Sequence, residues 1–195
     1  MLGERVAVHP FSRGQVRGSG GRPVAPDAHH CLARVPLHRI AIDRAVTLGS
    51  GRCGDVLRAV FQGQQFALKQ FDLDTPNARS RFEHEVATYG SLAHLQGKYV
   101  PRAAFWSTSV SGAVLFLGLQ LGVPMPDDFS MWSAEQLKGR DETIAALKSA
   151  GYVQTDIEAR NFVLLKGDDG VTRVAAVDAE SFARVKRRRR RRRPS

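Results

Sequence analysis

Three glycines near the start of the chain are spaced in a way that suits phosphate binding. The segment LGSGRCGDV places Gly49, Gly51 and Gly54 in the pattern G-x-G-x-x-G. Glycines at this spacing let backbone N–H groups approach phosphate oxygens closely. Strand-like segments precede and follow them, whereas a dinucleotide-binding fold requires a helix after the glycines. The pattern therefore predicts a phosphate-binding loop between two strands, although glycines of an ordinary β-turn produce the same pattern.

A lysine and a glutamate are expected to form a buried ion pair next to this loop. Lys69 lies within the apolar segment FALKQF, on the same predicted strand face as Ala67 and Phe71. An amine in these surroundings needs an opposite charge, unless Lys69 is an edge residue whose amine reaches water. Glu85 lies on the apolar stripe of the following predicted helix, together with Tyr89. A carboxylate on a core-facing stripe needs a cation, and we predict that Lys69 supplies it.

A second group of polar residues lies in the C-terminal half of the chain. The segment QTDIEARNFVLL carries Asp156 and Asn161 five positions apart, immediately before a predicted strand. Asp178 follows the next predicted strand. The spacing of these residues leaves their role open until the order of the elements is considered.

The elements predicted around these residues form an α+β protein in two lobes. β-rich segments begin at about Ile40 and include a hairpin at 63–65. A helical period follows over about 75–95, for which Asp74 or Thr75 is the predicted N-cap. Two further strands complete the first lobe, which therefore has five strands with one helix inserted after the third. A helix over roughly 135–150, the polar loop and a hairpin begin the second lobe.

In this order, the motifs resemble those of the protein-kinase-like superfamily. The shared features are the glycine-rich loop, the lysine of the third strand, the helix glutamate, the D-x-x-x-x-N loop and the later aspartate. They extend from about Leu48 to Phe182, and the segment GKYVPR after the helix is similar to that of small kinase-like proteins of fungi. The resemblance implies a five-stranded antiparallel N-lobe with one αC-type helix over 37–121. An abbreviated C-lobe with the catalytic loop is implied over 122–185.

The resemblance also implies a role for each motif residue. Asn161 and Asp178 would bind Mg²⁺, and Asp156 would accept the proton of the acceptor hydroxyl. The implied catalytic residues are Asp156, Lys69, Glu85 and Arg160. The implied ATP-binding residues are Gly49, Ser50, Gly51, Gly54, Val56, Ala67, Lys69, Leu119, Gln120 and Leu121, the last three in a hinge over 118–122.

The implied function is transfer of the ATP γ-phosphoryl to a protein hydroxyl. Two alternatives are a catalytically weak or inactive ATP-binding pseudokinase that acts as a scaffold, and a small-molecule kinase of the aminoglycoside or choline type. Three departures from the usual motifs keep these alternatives open. Gln154 replaces the usual histidine, Glu158 replaces a lysine, and Asp178-Ala179-Glu180 replaces Asp-Phe-Gly. Few residues follow Asp178, so we expect the peptide-binding half of a protein kinase to be missing.

The charge of the chain is concentrated at its C-terminus. The net charge is +10, but the segment from Lys186 to Arg193 carries eight positive charges and the remainder only +2. We predict a disordered tail over 186–195 and a disordered leader over 1–36, which is rich in Gly, Pro, Arg and His. The tail is predicted to serve nuclear import or nucleic-acid attachment, or to bind polyanions non-specifically. No apolar segment approaches the ~20 residues of a membrane span, and we expect a cytoplasmic or nuclear protein.

Overall fold

A computed structural model describes residues 32–185 and shows a mixed α+β protein. Most of the predicted leader and all of the predicted tail, residues 1–31 and 186–195, lie outside the described residues. No helix within 32–185 is long and apolar enough to cross a bilayer.

The first lobe is a six-stranded sheet with one helix. The sheet has the order β1-β5-β6-β4-β3-β2, and the helix α1 lies between β4 and β5 in sequence. The bounds are β1 Ala33–Arg34, β2 Ala41–Gly51, β3 Gly54–Phe61, β4 Gln64–Asp72, α1 Ala78–Ser91, β5 Ala103–Thr108 and β6 Val114–Gln120. Strands β2 to β6 pair with antiparallel neighbours, whereas β1 pairs in parallel with β5.

The sixth strand corrects the prediction of a purely antiparallel five-stranded sheet. Residues 33–36 were expected to belong to the leader, but β1 extends the sheet and Val35 is buried. Val35 and Ile40 pack on one face of the sheet with Leu68 and Phe105. A strand of two residues is too short to show a period of two in the sequence, so only the pairing with β5 reveals it.

Helix α1 presents the predicted apolar stripe to the core but begins later than expected. Its N-cap is Asn77, in the left-handed conformation that asparagine tolerates, and neither Asp74 nor Thr75 is the cap. Glu85 and Tyr89 are both buried on the inner face, as the helical period predicted. The charged glutamate is therefore delivered into the core by the same periodicity that buries its apolar neighbours.

The second lobe consists of one helix and two small sheets. One sheet has the order β10-β9-β7, and the other pairs β11 with β8. The bounds are β7 Val123–Pro124, α2 Ala134–Ser149, β8 Tyr152–Gln154, β9 Phe162–Lys166, β10 Thr172–Ala176 and β11 Phe182–Arg184. A capping box between Ser133 and Gln136 begins α2. The buried Thr143 hydroxyl donates to the Val174 carbonyl at 2.6 Å, which joins α2 to β10.

A single apolar cluster passes through both lobes. In the first lobe it includes Phe71 and Phe82, whose ring centroids are 5.3 Å apart. In the second lobe it includes Trp132 and Phe162, whose ring centroids are 5.9 Å apart. Shared burial of this kind holds the lobes against each other and leaves a cleft beside the core.

Candidate active site

Most residues singled out in the sequence meet in one cleft of about 1100 Å³. The predicted residues that line it are Gly49, Ser50, Gly51, Val56, Ala67, Lys69, Leu119, Gln120, Leu121, Asp156, Arg160, Asn161 and Asp178. Gly54 and Glu85 do not line the cleft. Gly54 packs against Gln70, and Glu85 is fully buried behind Lys69.

Lys69 connects the two halves of the site. Its amine donates to Glu85 Oε2 on α1 at 2.7 Å, as predicted, and to Asp178 Oδ1 at 2.5 Å. The side chain of Lys69 is only 9% exposed, and that of Glu85 is 0% exposed. A single cation thus holds together a strand of the first lobe, its helix, and the segment that follows β10.

The carboxylates determine the charge of Lys69. Burial alone would lower the pKa of Lys69, but Glu85 and Asp178 outweigh it and raise this pKa above its ordinary value. Burial raises the pKa of Glu85, and the Lys69 ammonium opposes that effect. The lysine therefore remains a cation at neutral pH and presents its charge at the edge of the cleft.

The register of β9 and β10 explains why Asn161 and Asp178 are neighbours. Phe162 is paired with Ala176 across this antiparallel hairpin. The residue before β9 therefore lies beside the residues that follow β10. The Val177 amide donates to the Asn161 carbonyl at 2.9 Å, and Asp178 follows directly. Two residues that are distant in sequence thus reach the same wall of the cleft.

Hydrogen bonds within the loop orient Asp156. The Asn161 Nδ2 group donates to the Asp156 carbonyl oxygen at 2.9 Å and to Asp156 Oδ2 at 3.0 Å. Arg160 forms an ion pair with Glu158 and lies 3.8 Å from Asp156 Oδ2. The Thr155 amide and hydroxyl both donate to the Ser181 carbonyl, which fixes the start of the loop. Asp156 keeps a half-exposed carboxylate that faces the cleft with its orientation defined.

The glycine motif forms a hairpin rather than a strand-to-helix turn, as the sequence predicted. Gly49 and Gly51 belong to β2, and Gly54 begins β3. The turn between them is anchored by Cys53, which is 4% exposed and accepts a hydrogen bond from the Asp72 amide at 2.7 Å. Burial raises the pKa of the Cys53 thiol. The hairpin is therefore fastened to the lobe while Gly49 and Gly51 face the cleft.

The predicted metal ligands have oxygen atoms that suit Mg²⁺. Within the described residues, Asp178 uses Oδ1 for Lys69 and Asn161 uses Nδ2 for Asp156. Asp178 Oδ2 and Asn161 Oδ1 therefore remain for a cation, and Mg²⁺ prefers oxygen ligands of this kind. Glu85, Asp178 and Glu180 also bring carboxylate oxygens within 4.8 Å of one another. Glu85 and Asp178 are engaged by Lys69, and Glu180 by Arg81.

The predictions missed Arg81, which the structure brings close to the site, and they did not anticipate the burial of Gln154, the residue that replaces the usual histidine. Arg81 pairs with Glu180 across the gap between α1 and the segment after β10. The arginine lies four residues before Glu85, so helical spacing is the signal that could have found it. Gln154 is buried at the base of the loop, and within 32–185 neither atom of its amide has a hydrogen-bond partner. Nothing in the local pattern predicts that burial.

Comparison with known proteins does not assign this chain to a family. No protein-family model matches the chain, and no curated protein matches it.

Proposed function

We propose that the protein is a kinase-like phosphotransferase that binds ATP and transfers its γ-phosphoryl group to a hydroxyl acceptor. The observation that carries this proposal is the contact of Lys69 with both Glu85 and Asp178 at the edge of the cleft. An isolated ion pair would be ordinary core chemistry. A lysine held between two carboxylates, in one cleft with a glycine hairpin, Asp156 and Asn161, is the arrangement that would bind a polyphosphate.

Each part of the cleft has a role in this proposal. The adenine would lie against the hinge residues Leu119 and Leu121, which line the cleft. The glycine hairpin would place its backbone N–H groups near the phosphates, and the Lys69 ammonium would bind their oxygens. Asn161 and Asp178 would hold Mg²⁺, which supplies neutralisation of phosphate charge when it is bound.

Asp156 would act on the acceptor rather than on the nucleotide. The acceptor oxygen forms a bond to the γ-phosphorus, the bond from that phosphorus to the bridging oxygen breaks, and ADP leaves. The proton of the acceptor hydroxyl passes to Asp156. Asn161 orients this carboxylate through Nδ2, so the base is aligned before the acceptor arrives.

Substitution of Asp156 by asparagine tests the proposed transfer. We expect Asp156→Asn to lower phosphoryl transfer by roughly 10²–10⁴-fold and leave MgATP affinity nearly unchanged. The measurements are release or transfer of the γ-phosphate, and MgATP binding by calorimetry. Asp74→Asn is the control, because Asp74 is an exposed aspartate outside the cleft.

Three outcomes distinguish an active phosphotransferase from an ATP-binding protein without this activity and from a protein that does not bind ATP. No MgATP binding by the wild type rejects the proposal entirely. Binding without any transfer, or equal transfer by the wild type and Asp156→Asn, identifies an ATP-binding protein without this catalytic base. A selective loss of transfer supports the phosphotransferase.

A further inference from the structure

Helix α1 presents two charged residues to the segment that follows β10. Arg81 and Glu85 are four positions apart and therefore lie on one face of the helix. Glu85 contacts Lys69, which also contacts Asp178, whereas Arg81 contacts Glu180. Two cations and three carboxylates thus form one network between the helix and the Asp178–Glu180 segment.

The three carboxylates would repel one another without both cations. One oxygen of each carboxylate lies within 4.8 Å of the others. At this distance like charges repel strongly in a partly buried environment of low dielectric constant. Lys69 serves Glu85 and Asp178, so Arg81 is the cation that serves Glu180. The Arg81 and Glu180 side chains are 27% and 20% exposed, so solvent screens this pair only in part.

Three converging carboxylates with one counter-ion would also attract a divalent cation. In the wild type, the Arg81 guanidinium binds Glu180 and leaves Asp178 as the carboxylate available beside Asn161. One carboxylate and one amide are few ligands for Mg²⁺, which completes its coordination with phosphate oxygens and water. Nucleotide phosphates would supply those missing oxygens.

We propose that Arg81 is a positioning residue that keeps Glu180 out of the metal site, so that a divalent cation binds tightly only together with a nucleotide. The order of binding rests on the proposed function. The restraint of Glu180 by Arg81 does not, because it concerns only residues of the protein.

The experiment measures Mn²⁺ binding to the full chain by calorimetry, without nucleotide. Arg81→Ala and Arg81→Gln are expected to bind Mn²⁺ at least roughly tenfold more tightly than the wild type, because removing one nearby positive charge favours a cation. Arg79→Ala is the matched control, because Arg79 is an exposed arginine on the same helix. A merely structural role for Arg81 would weaken Mn²⁺ binding or leave it unchanged.

A second substitution identifies Glu180 as the group that Arg81 restrains. Arg81→Gln combined with Glu180→Gln should return Mn²⁺ affinity to the wild-type level or below. The inference is overturned if neither Arg81 variant binds Mn²⁺ more tightly, or if Glu180→Gln leaves the gain in place. If the wild type fails to bind ATP, the proposed function fails while this nucleotide-free comparison still decides the role of Arg81.

A separate measurement with ATP tests the proposed order of binding. The wild type and Arg81→Gln should differ less in Mn²⁺ affinity with saturating ATP than without ATP. The reason is that the phosphates then supply metal ligands in both proteins. An undiminished difference with ATP bound overturns the proposed order.

Discussion

At the scale of single residues, Lys69 is the group that joins the buried ion pair to the cleft. Its buried ammonium contacts two carboxylates, of which that of Glu85 is fully buried and that of Asp178 is partly exposed. Burial of unpaired charge is strongly unfavourable, so the lysine and the glutamate depend on each other. The same ammonium faces the cleft, where it is available to a phosphate.

Substitution of Lys69 by methionine should affect both stability and MgATP binding. Lys69→Met leaves the Glu85 carboxylate buried without its cation, which we expect to lower the free energy of unfolding by about 3–5 kcal/mol. It should also abolish the stabilisation by MgATP, expected to be about 2.7 kcal/mol for the wild type at a hundredfold excess over Kd. Urea unfolding with and without MgATP measures both.

A double variant separates the two effects. Lys69→Met with Glu85→Gln removes both charges of the pair, so it should recover stability without recovering the response to MgATP. If the double variant is stabilised by MgATP as strongly as the wild type, Lys69 does not bind the nucleotide.

At the scale of elements, the β2–β3 hairpin places one glycine against the protein and another beside open space. Gly54 has a φ of 147°, and a Cβ there would lie 3.0 Å from Gln70 Cβ. Gly49 has no atom within 4 Å of the position of a Cβ, although it lines the cleft. Packing therefore requires glycine at position 54, whereas Gly49 is a candidate for ligand contact.

Alanine at position 54 should lower stability, whereas alanine at position 49 should weaken MgATP binding. Gly54→Ala forces a strained backbone and a close contact, so we expect a loss of about 1–3 kcal/mol in the free energy of unfolding. Gly49→Ala should unfold like the wild type and bind MgATP more weakly, because its methyl group would occupy space at the cleft. Unchanged MgATP affinity in Gly49→Ala would mean that the phosphates do not approach this strand.

The β9–β10 hairpin depends on a charged turn. Asp169 accepts from Arg173 at 2.9 and 2.6 Å and from the Val171 amide at 3.0 Å. Arg173, followed by the Val171 N–H, lowers the pKa of Asp169 to about 2. This turn closes the hairpin whose opposite end brings Asn161 beside Asp178.

The pKa of Asp169 predicts a pH-dependent contribution to stability. The pKa of Asp169 in the folded protein lies below the ordinary value of 3.8, so the contribution is fully present above pH 3.8 and is lost as the pH falls through about 2. Asp169→Asn should therefore be less stable than the wild type at pH 7 and should equal it only below about pH 2. Unfolding curves across this range measure the difference. Arg173→Gln should cause a similar loss at pH 7, and the double variant should lose little more.

At the scale of the whole molecule, the nearly neutral body and the basic tail have separable properties. The described residues that line the cleft all lie between Leu48 and Ser181, whereas eight positive charges lie in the segment from Lys186 to Arg193. The two can therefore be assayed independently.

Removal of residues 186–195 should abolish polyanion binding and leave MgATP binding intact. Binding of the full chain to duplex DNA should not depend on base sequence. With 6–10 phosphate contacts it should weaken by roughly 10³–10⁵-fold between 50 and 200 mM salt. Titrations on unrelated duplexes at several salt concentrations test this. Salt-insensitive binding, or a clear preference for one duplex, would contradict a purely electrostatic tail.

The sequence by itself determined those parts of the protein that follow from local pattern and from the need to pair buried charge. The helical period predicted the inner face of α1, including Glu85, and the burial of a carboxylate predicted its pairing with Lys69. The glycine spacing and the segments around it predicted a hairpin. The predicted N-cap of α1 was wrong, because Asn77 competes with Asp74 and Thr75 in a segment where several residues suit an N-cap.

Only the tertiary structure decided the contacts that cross from one element to another. β1, β7 and β11 are two or three residues long and exist through pairing with distant strands, so no local period marks them. The contact of Lys69 with Asp178 spans 109 positions, and that of Arg81 with Glu180 spans 99. Contacts of this kind arise from strand register and from packing between lobes, and these depend on the whole chain rather than on any window of it.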